Sequence, residues 1–191
     1  MKTRLFGFLL SAVLLAAGIL LGEGTVSAHS MPYEETTLIL DDYAAHTQSS
    51  VIPRQSTLKD AQGAVVRAGL ADDYKKSDFT GDGMRFVTFR FNYAEEFVFR
   101  AVTGAKDTRD AGELTITGYD IMGPSVRTRS GIHVGIPYTD VTDAYGEASS
   151  AHTNEEGLTS YSYAFDGKAA TLTFGVDDAG IIRTIQYRSE I

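Results

Sequence analysis

Cysteine and tryptophan are both absent from this 191-residue chain, and proline occurs only 4 times. Without cysteine there is no disulfide scaffold, no thiol nucleophile and no thiolate metal site, so stability has to come from a packed core. Positive charge is also short. Lys and Arg number 17 against 25 Asp and Glu, a formal net charge of −8. An acidic surface of that size argues against nucleic acid as a partner and against anionic lipid bound through bulk charge, and it leaves room for a local basic patch. The recurrent catalytic signatures are missing too. No HExxH pair and no GxSxG elbow occurs, and Gly81-Asp82-Gly83 has no helix after it to cradle a phosphate.

One long apolar run exists, at 5–21. It follows Lys2 and Arg4 and leads to Val26-Ser27-Ala28, small residues that suit a signal peptidase. Residues 1–28 are therefore read as a secretory signal cleaved before His29, with an uncleaved membrane anchor as the alternative. On either reading the folded part lies outside the cytoplasm, secreted or in the cell envelope, and meets a membrane only through this segment if it stays uncleaved. Cleavage leaves 29–191, which is 163 residues, enough for a single domain with a sizeable core. The net charge then moves to −9, because the leader takes two cations and one anion with it.

Along the rest of the chain, 36–40 reads as a short strand and 41–54 shows no periodicity. Ser56 or Thr57 can cap a helix whose inner face is Leu58, Ala61, Val65 and Ala68, with Gly69 as its stop. Residues 72–83 read as a polar loop. Residues 84–91 and 97–103 form a hairpin rich in Phe and Val, turning at 92–96. A strand follows at 113–122, with Leu114 and Ile116 on one face and Thr115, Thr117 and Tyr119 on the other. After a polar connection at 149–157, Tyr161, Tyr163 and Phe165 alternate on one face. Leu172, Phe174 and Val176 continue the pattern, and Ile182 to Ile185 breaks it as a bulge would.

The stretch 131–148 organises these pieces. It reads as a short strand, a turn and a two-turn helix with Tyr138, Val141 and Tyr145 on one side. Gly146 then stops the helix in a left-handed conformation. Gly131, Ile132, Val134, Gly135, Val141, Tyr145 and Gly146, followed by Gly180, Ile182, Ile185 and Tyr187, resemble a motif of bacterial cell-envelope proteins. These share the fold of the β-lactamase inhibitor protein and of small outer-membrane assembly lipoproteins. The resemblance covers about 114–188. Pro137 stands where the family often has a Ser or Thr cap, Ala148 replaces a common proline, and no cysteine is present to carry a lipid. The order of elements and the resemblance together give an α+β fold, with short helices on one face of a curved antiparallel sheet; the halves at about 36–122 and 123–191 look alike in plan, each a short helix ending in Gly and a run of strands. The resemblance also implies protein–protein contact through the concave face of the sheet.

Candidate chemistry is sparse. Of His29, His46, His133 and His152, only His133 falls inside an expected element, although a freed His29 amine and imidazole form a conceivable copper chelate. Asp78-x-Thr80-x-Asp82-Gly83 begins like a calcium loop, but Phe89 stands where the bidentate Glu belongs, so a turn explains it better. The expectation is an exported, non-enzymatic binding module with no cofactor or metal, whose partner is an unidentified protein or peptide. Tyr119, Tyr161 and Tyr163 are the expected contacts, with Arg127 and Arg129 at the rim. The alternatives are a metal-dependent extracytoplasmic enzyme and a structural envelope protein held by an uncleaved N-terminus.

Overall fold

Strands in which every second residue is apolar have one wet and one dry face, so their dry faces must meet something. The structure is a computed structural model that describes residues 31–92 and 96–189. The expected signal segment at 1–28, His29 and the centre of the expected 92–96 turn lie outside the described residues. The elements in chain order are β1 (Leu38–Asp41), β2 (Gln48–Ile52), α1 (Leu58–Arg67), β3 (Lys75–Gly81), β4 (Met84–Asn92), β5 (Glu96–Gly104), β6 (Gly118–Ile121), β7 (Val126–Thr128), α2 (Tyr138–Tyr145), β8 (Ser150–Thr153), β9 (Thr159–Ala164), β10 (Ala170–Val176) and β11 (Ile182–Ser189). Short 3-10 turns occupy Tyr33–Thr36 and Ala111–Glu113. The architecture is α+β, with two antiparallel sheets and two short helices.

The large sheet runs β3-β4-β5-β6-β11-β10-β9-β8, and the small one β2-β1-β7. Each half thus supplies a four-strand meander, and the two meet where β6 pairs with β11. Directly opposed residues of an antiparallel pair share a face. One row on that rule is Phe89, Phe99, Tyr119, Tyr187, Leu172 and Tyr163, and another is Phe91, Phe97, Ile121, Ile185, Phe174 and Tyr161. All but Tyr161 are buried. This is the dry face, and both helices and the small sheet lie on it: Leu58, Ala61, Ala64 and Val65 from α1, Val141 and Tyr145 from α2, and Leu38, Leu40 and Val126 from β1 and β7 all join the same core. Fully burying one such aliphatic or Phe side chain contributes about 1.5–3 kcal/mol.

Thr57 caps α1. Its Oγ1 accepts from the Asp60 N–H at 3.2 Å, while Asp60 accepts from the Thr57 N–H at 3.0 Å. The Thr57 N–H and the Thr57 hydroxyl, both donating to the Asp60 carboxylate, hold it below its ordinary range. α2 has no such cap, because Pro137 precedes it. It is held instead by Tyr145, which lies 6.2 Å from the Phe174 ring and donates its hydroxyl to Glu35 at 2.7 Å. Burial pushes the Tyr145 phenol well up, so it remains a donor. The Glu35 carboxylate also accepts from the Ser130 N–H at 3.0 Å and hydroxyl at 2.9 Å, tying the 3-10 turn at Tyr33–Thr36 to the approach to α2.

Several expectations are corrected. Residues 131–135 form no strand; Gly131 and Gly135 turn the chain with φ of 87° and 98°, and only His133 makes an isolated bridge. The 41–54 segment contains β2, the 72–83 loop is mostly β3, and the 149–157 connection contains β8. β3 and β8 are the two edges of the large sheet and are solvent-exposed along nearly their whole length, so neither carries a burial pattern. At 113–122 only the last part is strand. Tyr119 consequently faces the core rather than sharing an outer face with Thr115 and Thr117. Gly146 has φ 75° as expected, but ψ is −157°, outside the left-handed helical well. Only glycine is at ease there. The bulge opposite Gly175 and Val176 is where the sequence places it.

Gly146→Val should therefore destabilise the fold by more than about 1 kcal/mol, lowering the melting temperature by roughly 2–4 °C per kcal/mol in a chain of this size. Thermal melts of variant and parent check this; an unchanged midpoint would mean that the helix stop does not depend on glycine.

Candidate functional site

The other face of the large sheet carries no helix and no second sheet among the described residues. Its rows follow from the same register. One runs Lys75, Arg90, Val98, Asp120, Gln186, Thr173, Ser162 and Ser150; its neighbour runs Ser77, Thr88, Arg100, Gly118, Arg188 and Thr171. In these rows the half from β8 to β10 is neutral hydroxyl, with Ser162 and Thr173 hydrogen-bonded to each other at 2.9 Å, and His152 lies on the same face opposite Ser160. Within these two rows the half from β3 to β11 holds four cations, Lys75, Arg90, Arg100 and Arg188, and one carboxylate, Asp120, in a chain whose net charge is −8.

That carboxylate, Asp120, is buried between two arginines. One oxygen pairs with Arg100 Nη1 and the other with Arg188 Nη2. Arg188 Nη1 also donates to the backbone oxygens of Tyr119 at 2.8 Å and Tyr187 at 2.7 Å. Gly118 makes this possible: a Cβ there would lie 2.9 Å from the Tyr187 carbonyl oxygen and 3.3 Å from Arg188 Cδ. The bare backbone lets Arg188 lie across β6. The triad spans β5, β6 and β11, and Val98 is buried beside it on this face.

Next to the cations is an aromatic patch. Phe79 on β3 stacks on Phe86 of β4, ring centroids 5.2 Å apart, and Val102 continues their row. Phe79 is 57% exposed, the most exposed of the chain's large apolar side chains among the described residues. Lys75, Lys76, Ser77, Thr88, Arg90 and Arg100 line a shallow depression of about 310 Å³ beside it.

The contact residues expected from sequence fall elsewhere. Tyr119 and Tyr163 are in the core, 2% and 0% exposed, so neither offers surface to a partner. The Tyr163 hydroxyl bonds to Tyr138 at 2.9 Å and to the Gly146 carbonyl at 3.0 Å, bracing the end of α2. Tyr161 is half-buried and stacks on Tyr138 at 3.9 Å, on the helix side of the sheet. Arg127 pairs with Asp41 across β1 and β7 through Nε at 3.2 Å and Nη2 at 3.3 Å. Arg129 is exposed in the turn after β7, and nothing gathers it with the tyrosines. His46 and His152 are exposed, and the His133 ring bonds to the Val134 carbonyl at 2.8 Å. The acidic run at 78–82 is a hairpin: Asp82 and Gly83, φ 51° and 76°, form its two-residue turn, and Asp78 pairs with Arg85 at 2.7 Å. The residues missed by sequence reasoning are Phe79, Lys75, Arg90, Arg100 and Arg188. A signal for two of them was present, since Arg90 and Arg100 sit mid-strand among Phe and Val, where a charge marks the wet face.

No known protein family matches the sequence, and no curated protein does. Among solved structures, a DUF4309 family protein, YjgB, from Bacillus subtilis is similar at 13% identity and a TM-score of 0.40, over 68% of this chain and 78% of that one. An extracellular protein containing an SCP domain, from Bacillus anthracis, is similar at 9% identity and a TM-score of 0.37, over 71% of this chain and 44% of that one. Likenesses this faint carry no argument about activity. No helix among the described residues is long and apolar enough to cross a membrane.

Asp120→Ala should cost about 1–3 kcal/mol, because two arginines lose their buried counter-charge but are exposed enough to turn toward water. Urea unfolding measures it; a variant as stable as the parent would show that the triad contributes nothing to the junction of the meanders.

Proposed function

We propose that the chain is an exported, non-enzymatic binding module and that the uncovered sheet face takes a protein partner presenting an acidic segment beside an apolar side chain. The observation that supports this most is the juxtaposition of exposed Phe79 with Lys75, Arg90 and Arg100 on a face that no other element covers among the described residues. An aromatic anchor ringed by charge is the usual composition of an energetically dominant contact. Eight strands spaced by about 4.8 Å make the face roughly 34 Å across, wide enough for a standard protein interface. The cations would steer an acidic segment to this face, while the net acidity of the chain disfavours acidic partners elsewhere on its surface. The resemblance of the 131–146 motif to contact-acting envelope proteins agrees with this reading, and the signal-like leader would place the module outside the cytoplasm.

The test is capture of partner from the extracytoplasmic fraction of the host on immobilised 29–191 chain. Phe79→Ala and Lys75→Glu should each weaken capture of the same protein by tenfold or more, the factor that about 1.4 kcal/mol represents, and raising the salt should weaken it further. Replacing His46, His133 and His152 by Ala together should leave capture unchanged. Retention by both face variants would contradict the proposal. Loss of an enzymatic activity in the histidine variant, with its fold intact, would favour the metal-dependent enzyme instead.

A further inference from the structure

The large sheet ends at β3, and no element among the described residues covers its outer edge. β3 is last in the strand order, and its residues are exposed along nearly the whole strand. A free edge is a row of unpaired backbone donors and acceptors, and proteins commonly blunt it with a bulge, a proline or charge. β3 has no proline and no bulge, because it pairs with β4 in unbroken register from Lys75 to Gly81. The two-residue turn at Asp82-Gly83 makes Gly81 and Met84 a hydrogen-bonded pair. Bonding then alternates along the hairpin. Lys75, Ser77 and Phe79 bond to β4, and the N–H and C=O groups of Lys76, Asp78 and Thr80 point outward.

Charge is what remains to blunt this edge, and the charge is self-complementary. The strand reads Lys75, Lys76, Ser77, Asp78, Phe79. A two-fold axis at Ser77 sets Lys76 of one copy opposite Asp78 of the other, and Lys75 opposite Phe79. Directly opposed residues share a face. An ammonium thus meets a carboxylate on one face and an aromatic ring on the other, each twice. Arg85 donates to the two Asp78 oxygens at 2.9 Å and 2.7 Å and holds the carboxyl below its ordinary range, while each oxygen keeps a lone pair for a second donor. Lys76 and Asp78 are also residues whose backbone groups point outward, so each opposed pair exchanges two main-chain hydrogen bonds. An axis at Lys76 or at Asp78 would instead oppose two like charges. β8, the other edge, has no Lys, Arg, Asp or Glu to set a register.

We propose that β3 is a self-association edge, through which two copies of the chain pair antiparallel about a two-fold axis at Ser77 and join their eight-stranded sheets into one. The contact is small among protein interfaces, so its dissociation constant should be on the order of 100 μM. It needs no acidic partner, and it brings the two cation-lined depressions side by side on one face.

Sedimentation velocity on the 29–191 chain should show a monomer–dimer equilibrium that shifts with concentration. Single cysteines test the register, since the chain has none of its own. Ser77 opposes its own copy as a non-hydrogen-bonded pair, whose Cα separation of about 4.5 Å suits a disulfide. Ser77→Cys with oxidised glutathione should therefore give a disulfide-linked dimer. Thr80→Cys, about 20 Å from its copy, should crosslink slower by roughly tenfold or more. Lys76→Glu opposes Asp78 with a like charge and should raise the dissociation constant about tenfold or more. Mixed with Asp78→Lys it should dimerise again, because the swapped charges then pair. Melting checks the fold of both charge variants, and if either does not fold the cysteine comparison decides. A parent chain still monomeric at about 1 mM would overturn the proposal. So would equal crosslinking at positions 77 and 80, an undiminished dimer in folded Lys76→Glu, or no pairing in the folded mixture.

Discussion

The junction of β6 with β11 is the constraint on which the rest of the structure depends. β6 has four residues, all buried, and each meets a different demand. Gly118 keeps clear of the Tyr187 carbonyl and of Arg188. Tyr119 and Ile121 enter the core. Asp120 faces the other way and is held between Arg100 and Arg188. A strand this short gains little from its own ladder, so its place is set by what its two faces bury. Once it is placed, two four-strand meanders become one eight-stranded sheet with a continuous dry face.

That arrangement divides the work between the faces. On the dry face an aromatic chain crosses the junction: Phe91 and Phe99 at 6.1 Å, Phe99 and Tyr119 at 6.5 Å, Tyr119 and Tyr187 at 5.3 Å, then Phe165 and Tyr33 beyond. The small sheet packs over this chain, with a cavity of about 160 Å³ between them lined by Leu38, Ile52, Phe99, Tyr119 and Tyr187. The wet face stays open, and the same register that buries the rings brings Lys75, Arg90, Arg100 and Arg188 together on it. Core and candidate surface are therefore two consequences of one strand alignment.

Much of this was legible in the sequence wherever burial leaves a pattern. The capped α1, the Phe-rich hairpin, the Tyr145-Gly146 helix stop and the alternating second meander all bury one face, so their periodicities survive. β3 and β8 were not legible, because an edge strand wet on both sides has no alternation to show. The Asp82-Gly83 turn was the available clue to β3. Tyr119 and Tyr163 were assigned to a surface because a phenol suits both places equally. Only their neighbours decide: Tyr163 braces Gly146 and Tyr138, and Tyr119 lines the cavity. The cationic face was hidden for a different reason. Lys75, Arg90, Arg100 and Arg188 come from four strands, and only the pairing order brings them together.

The most direct test of the central claim, that the β6–β11 junction makes one cooperative sheet, uses the absence of tryptophan from the chain. Phe86→Trp reports on the first meander and Tyr161→Trp on the second, each as the single indole of its variant. Urea unfolding should give one transition per variant with the same midpoint as its own circular dichroism, and both variants should share one slope. Fluorescence and circular dichroism transitions that separate, with one meander unfolding well before the other, would show that the two halves stand independently and that the junction does not govern the fold.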